Sequence, residues 1–263
     1  MEKPAGKIYE STDYLKFKFL KGNRKVKQNK SLENSIIKSG ILVPIEVNEG
    51  FEVLDGQFRL KVAQKYELVV PYRIAEGLGI QDVIDLNSTT KSWNLNDYIR
   101  KYAVDGIKSY LQLQRLIIEF AYIPASTLAA AAMGNTRINS SSTKLTKSGK
   151  FDFLNYEEFY QFLKSYQQFI EETGLKGSQQ TFFAYFELYV TPKFTNVQLI
   201  NGFKQKDKRQ IEGMFHQGLV LEFFLKAFNY GLSSNSQSAI KYKLNQNGDP
   251  IVIEEKNPLL IKE

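Results

Sequence analysis

Residues 14–20, YLKFKFL, set apolar Leu15, Phe17 and Phe19 against cationic Lys16 and Lys18 with a period of two, which predicts a strand with one buried face. Leu32, Ser35, Ile36 and Ile37 then follow at helical spacing, with Ser31 placed to cap the helix and Gly40 to end it. Two short apolar runs, 42–47 and 51–54, flank Asn48, Glu49 and Gly50 and read as a hairpin. The second run breaks at Asp55-Gly56, a new helical pattern starts at once, and residues 68–75 form another strand. After Asn87 the rhythm becomes that of amphipathic helices rich in aromatics. Leu95, Tyr98, Ile99, Tyr102 and Ala103 share a stripe behind a cap at Asn94, and Tyr110, Leu113, Ile117 and Phe120 continue likewise. Phe159, Tyr160, Leu163, Tyr166 and Ile170 mark a helix over 156–171, and 182–190 and 221–228 read as helices too. These stripes predict core packing, not base stacking. Residues 135–150, a Ser/Thr/Lys segment without periodicity, predict a loop. Near the end, Ile240, Tyr242 and Leu244 alternate with lysines, and Asn247-Gly248 supplies a hairpin turn.

The pattern predicts an α+β protein: a small mixed sheet-and-helix domain over residues 1–90, a mainly helical domain over 91–235, and a hairpin and tail over 236–263. A chain of 263 residues with 43% apolar content can cover a substantial core. No stretch reaches the roughly 18 consecutive apolar residues that cross a bilayer, so no membrane partner and a cytoplasmic location, in a bacterial cell or phage-infected host, are expected. The absence of cysteine excludes disulfides, thiolate catalysis and zinc-thiolate sites, and the single histidine, His216, excludes a His-based metal cluster. His216 reads as a structural or surface residue. Glu52, Asp55, Asp82 and Asp85 show no spacing that selects a metal, which leaves nuclease chemistry without an evident centre. Net charge is +7, and residues 16–30 carry Lys16, Lys18, Lys21, Arg24, Lys25, Lys27 and Lys30 with no acid among them. Such a run points to a polyanion, with Lys16, Lys18, Lys25 and Lys27, and later Lys144, Lys147 and Lys150, as candidate DNA contacts.

The sequences NSIIKSGILVPIEV, VLDGQFRLKVA and VVPYRIAEG, in that order, resemble the ParB/sulfiredoxin superfamily, specifically the ParB-like N-terminal domain of phage and plasmid proteins. The matching residues are Ser35, Ile36, Gly40, Pro44, Ile45 and Val47, then Asp55, Gly56, Arg59, Leu60 and Ala63. GNRKV at 22–26 and LNSTTKSWNLNDYI at 86–99 are similar to further elements of the phage-type members, and the resemblance covers residues 14–100. It implies a ParB/sulfiredoxin-like sheet-and-helix domain and a pocket for a nucleoside triphosphate, CTP or ATP, with Mg²⁺, drawing on Arg24, Asp55, Gly56, Gln57, Arg59, Lys61 and Asn87. Elementary electrostatics points the same way, since unpaired amides at a helix start and a nearby guanidinium attract anions. Lys61 stands where the family has arginine and supplies charge without a planar fork. Phe58 also replaces a family arginine. The missing cysteine rules out sulfiredoxin chemistry. Asn87 keeps one position of the family's hydrolysis segment while Leu86 and Thr90 depart from it, so hydrolysis is in doubt.

IPASTLAAAAMGN, residues 123–135, resembles the first helix and turn of ParB's helix-turn-helix, with Ser126 as cap and Gly134 as turn. The next residues lack a helical pattern, so the motif is either degenerate or folds on DNA; the alanine run reads equally as a packed core helix. The leading expectation is a DNA-binding regulatory or partition-type protein of a phage or mobile element, as a homodimer, with a nucleotide or phosphate pocket at the Asp55-Gly56 turn. A nuclease or NTPase, and an inactive protein-interaction module, are the alternatives.

Overall fold

The computed structural model describes residues 6–21, 23, 26, 28–80, 82–83, 93–207, 209–233 and 235–261. Its contacts divide the chain into two compact units, Met1–Ile107 and Lys108–Glu263. The protein is mixed α+β: a five-stranded sheet, a separate two-stranded hairpin and, among the described residues, eleven helices.

The first unit is built on β1 (Ile8–Ser11), β2 (Lys18–Phe19), β3 (Ile45–Val47), β4 (Glu52–Asp55) and β5 (Val70–Ile74), in the order β1-β5-β3-β4-β2. The outer pair β1/β5 and the central hairpin β3/β4 are antiparallel; β3/β5 and β2/β4 are parallel. Helix α1 (Lys30–Ser39) precedes β3, and α2 (Gln57–Tyr66) crosses over from β4 to β5. Ile36 of α1, Ile45, Val47, Val53, Val70 and Tyr72 of the strands, and Leu60, Val62 and Ala63 of α2 form the core. Helix α3 (Leu95–Val104) starts at a reciprocal cap in which Asn94 accepts from Asp97 N and Asp97 accepts from Asn94 N.

Two expectations fail here for local reasons. Residues 14–20 are not one strand: Asp13 accepts from Leu15 N at 3.1 Å and turns Tyr14–Lys16 into a 3-10 turn, leaving only Lys18–Phe19 to pair. Phe17 alone of the three apolar residues is buried, whereas Leu15 is 92% exposed. Helix α1 is capped by Asn29, not Ser31, because the Asn29 side chain lies one turn ahead of Leu32 N and accepts from it at 3.1 Å.

In the second unit α4 (Lys108–Glu119), α5 (Ala125–Ala132), α6 (Ser140–Lys147), α7 (Tyr156–Thr173), α8 (Gln179–Tyr189), α9 (Asn196–Lys204), α10 (Arg209–Glu212) and α11 (Gln217–Phe228) lead to the hairpin β6 (Tyr242–Leu244) and β7 (Pro250–Val252). The core is aromatic. Phe162 of α7 meets the rings of Phe182, Tyr185, Phe186 and Tyr189 of α8 at 4.7–6.1 Å between centroids, mostly edge to face. Helices α9 and α11 touch through their backbones: a Cβ on Gly202 would overlap the Ala227 carbonyl. Pattern reading placed Tyr160 and Ile170 inside, but Phe162 and Phe169 are the buried residues of α7 there.

Helix α6 corrects the loop expected at 135–150. Asn139 caps it by accepting from Ser142 N at 2.7 Å. Its inward face is made of hydroxyls, with Thr146 Oγ1 donating to Ser142 O and Tyr110 Oη donating to Thr146 O, both at 2.8 Å. A face of hydrogen-bonded Ser and Thr is buried without leaving an apolar stripe in the sequence.

Candidate functional site

Three groups of residues carry the chemistry suggested by sequence: the turn into α2, the cations of 16–30, and the α5–α6 pair.

At the turn, β4 ends at Asp55 and Gly56 takes φ 91°, ψ 18°, the left-handed conformation that glycine adopts without strain, before α2 begins at Gln57. The structure brings Asp55, Gly56, Gln57 and Arg59 together at this corner. Arg59 does not reach outward. Its Nη2 donates to Asp55 Oδ2 at 2.7 Å and to the Pro44 carbonyl at 3.4 Å, and its side chain is 17% exposed. A Cβ on Gly56 would lie 2.6 Å from Ile45 Cγ2 and 2.9 Å from Arg59 Nε and Nη2, so the guanidinium lies across the glycine. The guanidinium thus fills the corner beside the glycine, and its charge is already answered by a carboxylate of the chain itself. The amides of the first turn of α2 remain an anion-favouring feature, and Arg59 Nε is buried without a hydrogen-bond partner. Lys61 leans over the Phe19 ring at 5.5 Å. Arg24 and Asn87, which the resemblance adds to this pocket, lie outside the described residues.

In the basic run Lys21 and Lys30 are exposed, whereas Lys16 is drawn into packing. Lys16 Nζ donates to Tyr72 Oη at 3.0 Å and lies 4.2 Å from that ring's centroid, with Phe17 and Phe51 at 5.0 and 5.3 Å. An ammonium seated among three rings is committed to packing. Lys18 is exposed; Lys25 and Lys27 lie outside the described residues.

The α5–α6 pair is the arrangement that sequence reasoning only half found. Every residue of α5 from Thr127 to Ala132 is buried, as a packed core helix requires. Ser126 does not cap it: Pro124 occupies the cap position and no side chain bonds there. Gly134, at φ 80°, turns the chain, Asn135 Nδ2 ties the turn to Ala130 O at 3.0 Å, and α6 follows. The connection is held from outside by Gln217 of α11, which donates to Thr136 O at 3.0 Å. Helix α6 shows Ser140, Ser141, Lys144, Leu145 and Lys147 to solvent, and Lys150 stands exposed just beyond its end. Lys144 and Lys150 form no ion pair among the described residues. The signal for α6 was present in the sequence as Asn139 ahead of three serines, a cap followed by a hydroxyl face.

Among the described residues no group of three or more His, Asp or Glu side chains could hold a metal ion, and no helix is long and apolar enough to cross a membrane. The carboxylates near the turn are used otherwise, Glu52 accepting from Asn48 Nδ2 at 2.9 Å and Asp55 holding Arg59. His216 is exposed, 3.3 Å from Asp249, at the start of α11.

No family model matches the sequence, and no curated protein matches it. The solved structure of a Pnob8-like ParB-N domain is similar at 10% identity, over 87% of this chain and 100% of that chain, with a TM-score of 0.35. A backbone match that loose assigns no residue a role.

Proposed function

We propose that this chain binds DNA, with α6 and the residue after it laid against the phosphate backbone and α5 as its support. One observation carries the reading: a short helix, capped by Asn139 and pinned inward by hydroxyls, turns Lys144 and Lys147 to solvent with Lys150 next to it. Two helices joined by a glycine turn, the first buried and the second exposed and basic, have the form of a helix-turn-helix, although the seven-residue connection from Met133 to Asn139 is longer than the 3–4 residues usual for that motif. A regulatory or partition-type role in a phage or mobile element rests on the sequence boxes. The test is fluorescence anisotropy with a random-sequence duplex between 50 and 200 mM salt. Binding should weaken steeply with salt, and replacing Lys144, Lys147 and Lys150 by Ala should lower the log–log slope by about 2–3, at roughly 0.9 per lost phosphate contact. Absent binding at low salt, or a slope unchanged in the triple variant, refutes the reading.

A second proposal, a nucleotide at the turn into α2, has in its favour the helix-start amides and the unpartnered Arg59 Nε. It requires the phosphate to take Arg59 from Asp55. Thermal-shift titration with CTP, ATP and GTP tests it: Asp55→Asn should raise affinity by freeing the guanidinium, and Arg59→Ala should abolish it. No stabilisation of either the native chain or Asp55→Asn by any of the three removes the nucleotide.

A further inference from the structure

The last turn of α8 carries Glu187, whose side chain is only 16% exposed. Two cations from different parts of the second unit act on this carboxylate. Lys256, in the segment that follows β7, pairs with it at 3.6 Å. Arg137, in the connection between α5 and α6, lies within electrostatic reach and pulls on the same charge more weakly than Lys256 does; burial raises the carboxyl and both cations oppose the rise.

The surroundings hold both cations where they are. The segment bearing Lys256 is docked on the end of α8: Asn257 N donates to Val190 O at 2.7 Å, Glu254 accepts from Lys193 Nζ at 2.8 Å and from Lys241 N at 3.0 Å, and Leu260 is buried. On the other side, Gln217 fixes Thr136, the residue before Arg137. Arg137 itself is exposed, forms no ion pair among the described residues, and stands two residues ahead of the Asn139 cap of α6. Helix α6 rises about 12 Å over its eight residues. Arg137 is therefore a cation at the opposite end of α6 from Lys147 and Lys150, with a planar fork suited to phosphate oxygens.

We infer that Arg137 is a further phosphate contact of the DNA-binding face, and that Lys256 keeps it available by holding the Glu187 carboxylate. The inference rests on the DNA reading above. While Lys256 is docked, Glu187 is answered from within the fold and Arg137 is left for an external anion. If that segment lifts, the carboxylate loses its nearer cation and takes Arg137, because a buried charge without a partner is strongly unfavourable. Docking of the segment and binding of DNA then favour each other reciprocally.

Lys256→Met, Arg137→Ala, the two combined, and Lys256→Met with Glu187→Gln test this in the full chain, by salt-graded anisotropy with the random duplex and by thermal unfolding without DNA. Arg137→Ala should lower the log–log slope by about 0.9, one phosphate contact. Lys256→Met should lower it equally, the two together no further, and Glu187→Gln should restore the native slope to Lys256→Met. Without DNA, Arg137→Ala should leave the melting temperature of the native chain unmoved but lower that of Lys256→Met by about 2 °C, since there Arg137 has become the partner of Glu187. An unchanged slope in Arg137→Ala overturns the contact. Slope losses that add, or a Lys256→Met slope that Glu187→Gln does not restore, make Lys256 a contact in its own right and overturn the coupling. A native chain that binds no DNA refutes the DNA reading and the contact with it; the melting temperatures still judge the exchange of Glu187, which equal shifts in both backgrounds overturn.

Discussion

The turn into α2 and the helix α6 both place positive charge beside a helix, and they use it in opposite ways. At the turn, Arg59 bonds Asp55 and covers Gly56, and elsewhere in the same unit Lys16 is enclosed by Tyr72, Phe17 and Phe51. These cations hold the first unit together. On α6 the hydroxyls of Ser142 and Thr146 do the structural work, while Lys144 stands on the solvent face and forms no ion pair among the described residues. A cation attracts an external polyanion only when the fold has not already supplied its anion, so charge counts along a sequence mislead unless partners are counted with them.

Four changes test that contrast, and a fifth tests the helical unit. The largest effect is expected from Gly56→Ala, which puts a methyl at positive φ against Ile45 and Arg59; it should cost about 2–3 kcal/mol in urea unfolding and leave the salt slope of DNA binding unchanged. A loss below about 0.5 kcal/mol would mean that the guanidinium does not lie over the glycine. Asn139→Ala comes next: removing the cap of α6 should cost about 1 kcal/mol and, unlike the first change, weaken DNA binding in the anisotropy measurement. Asp55→Asn breaks an ion pair whose carboxylate is half exposed, so the stability change should stay below about 1 kcal/mol. Arg59→Ala should likewise leave DNA affinity as it was. The smallest effect concerns Glu187 of α8, whose carboxyl is raised by burial against the opposing pull of Lys256 and Arg137. The folded state then holds this proton more tightly than the unfolded chain, so stability is fullest below the ordinary carboxylate range and falls as pH climbs through it to the raised value. Glu187→Gln should flatten that part of the unfolding profile; an unaltered profile would remove Glu187 as its source.

The sheet unit was legible where alternation and turn residues agreed. The β3–β4 hairpin, the break at Asp55-Gly56, α2 and β5 stand where the pattern puts them, as do the Asn94 cap and the late hairpin. Residues 14–20 were not, because a single aspartate at 13 overrides the alternation that follows it. In the helical unit, apolar stripes revealed α7, α8 and α11, but α9 and α6 escaped. Helix α6 was hidden because hydrogen bonds, not apolar area, bury its inner face. The corner at Asp55 was readable as a turn into a helix; its self-neutralisation was not, since Asp55 ends a strand and meets Arg59 only across the left-handed turn at Gly56.

The contact between α9 and α11 has a mechanical consequence. Where Gly202 lets two backbones meet with no side chain between them, the helices have no cushion of rotamers to absorb a displacement. A push on one is therefore passed to the other directly, main chain against main chain.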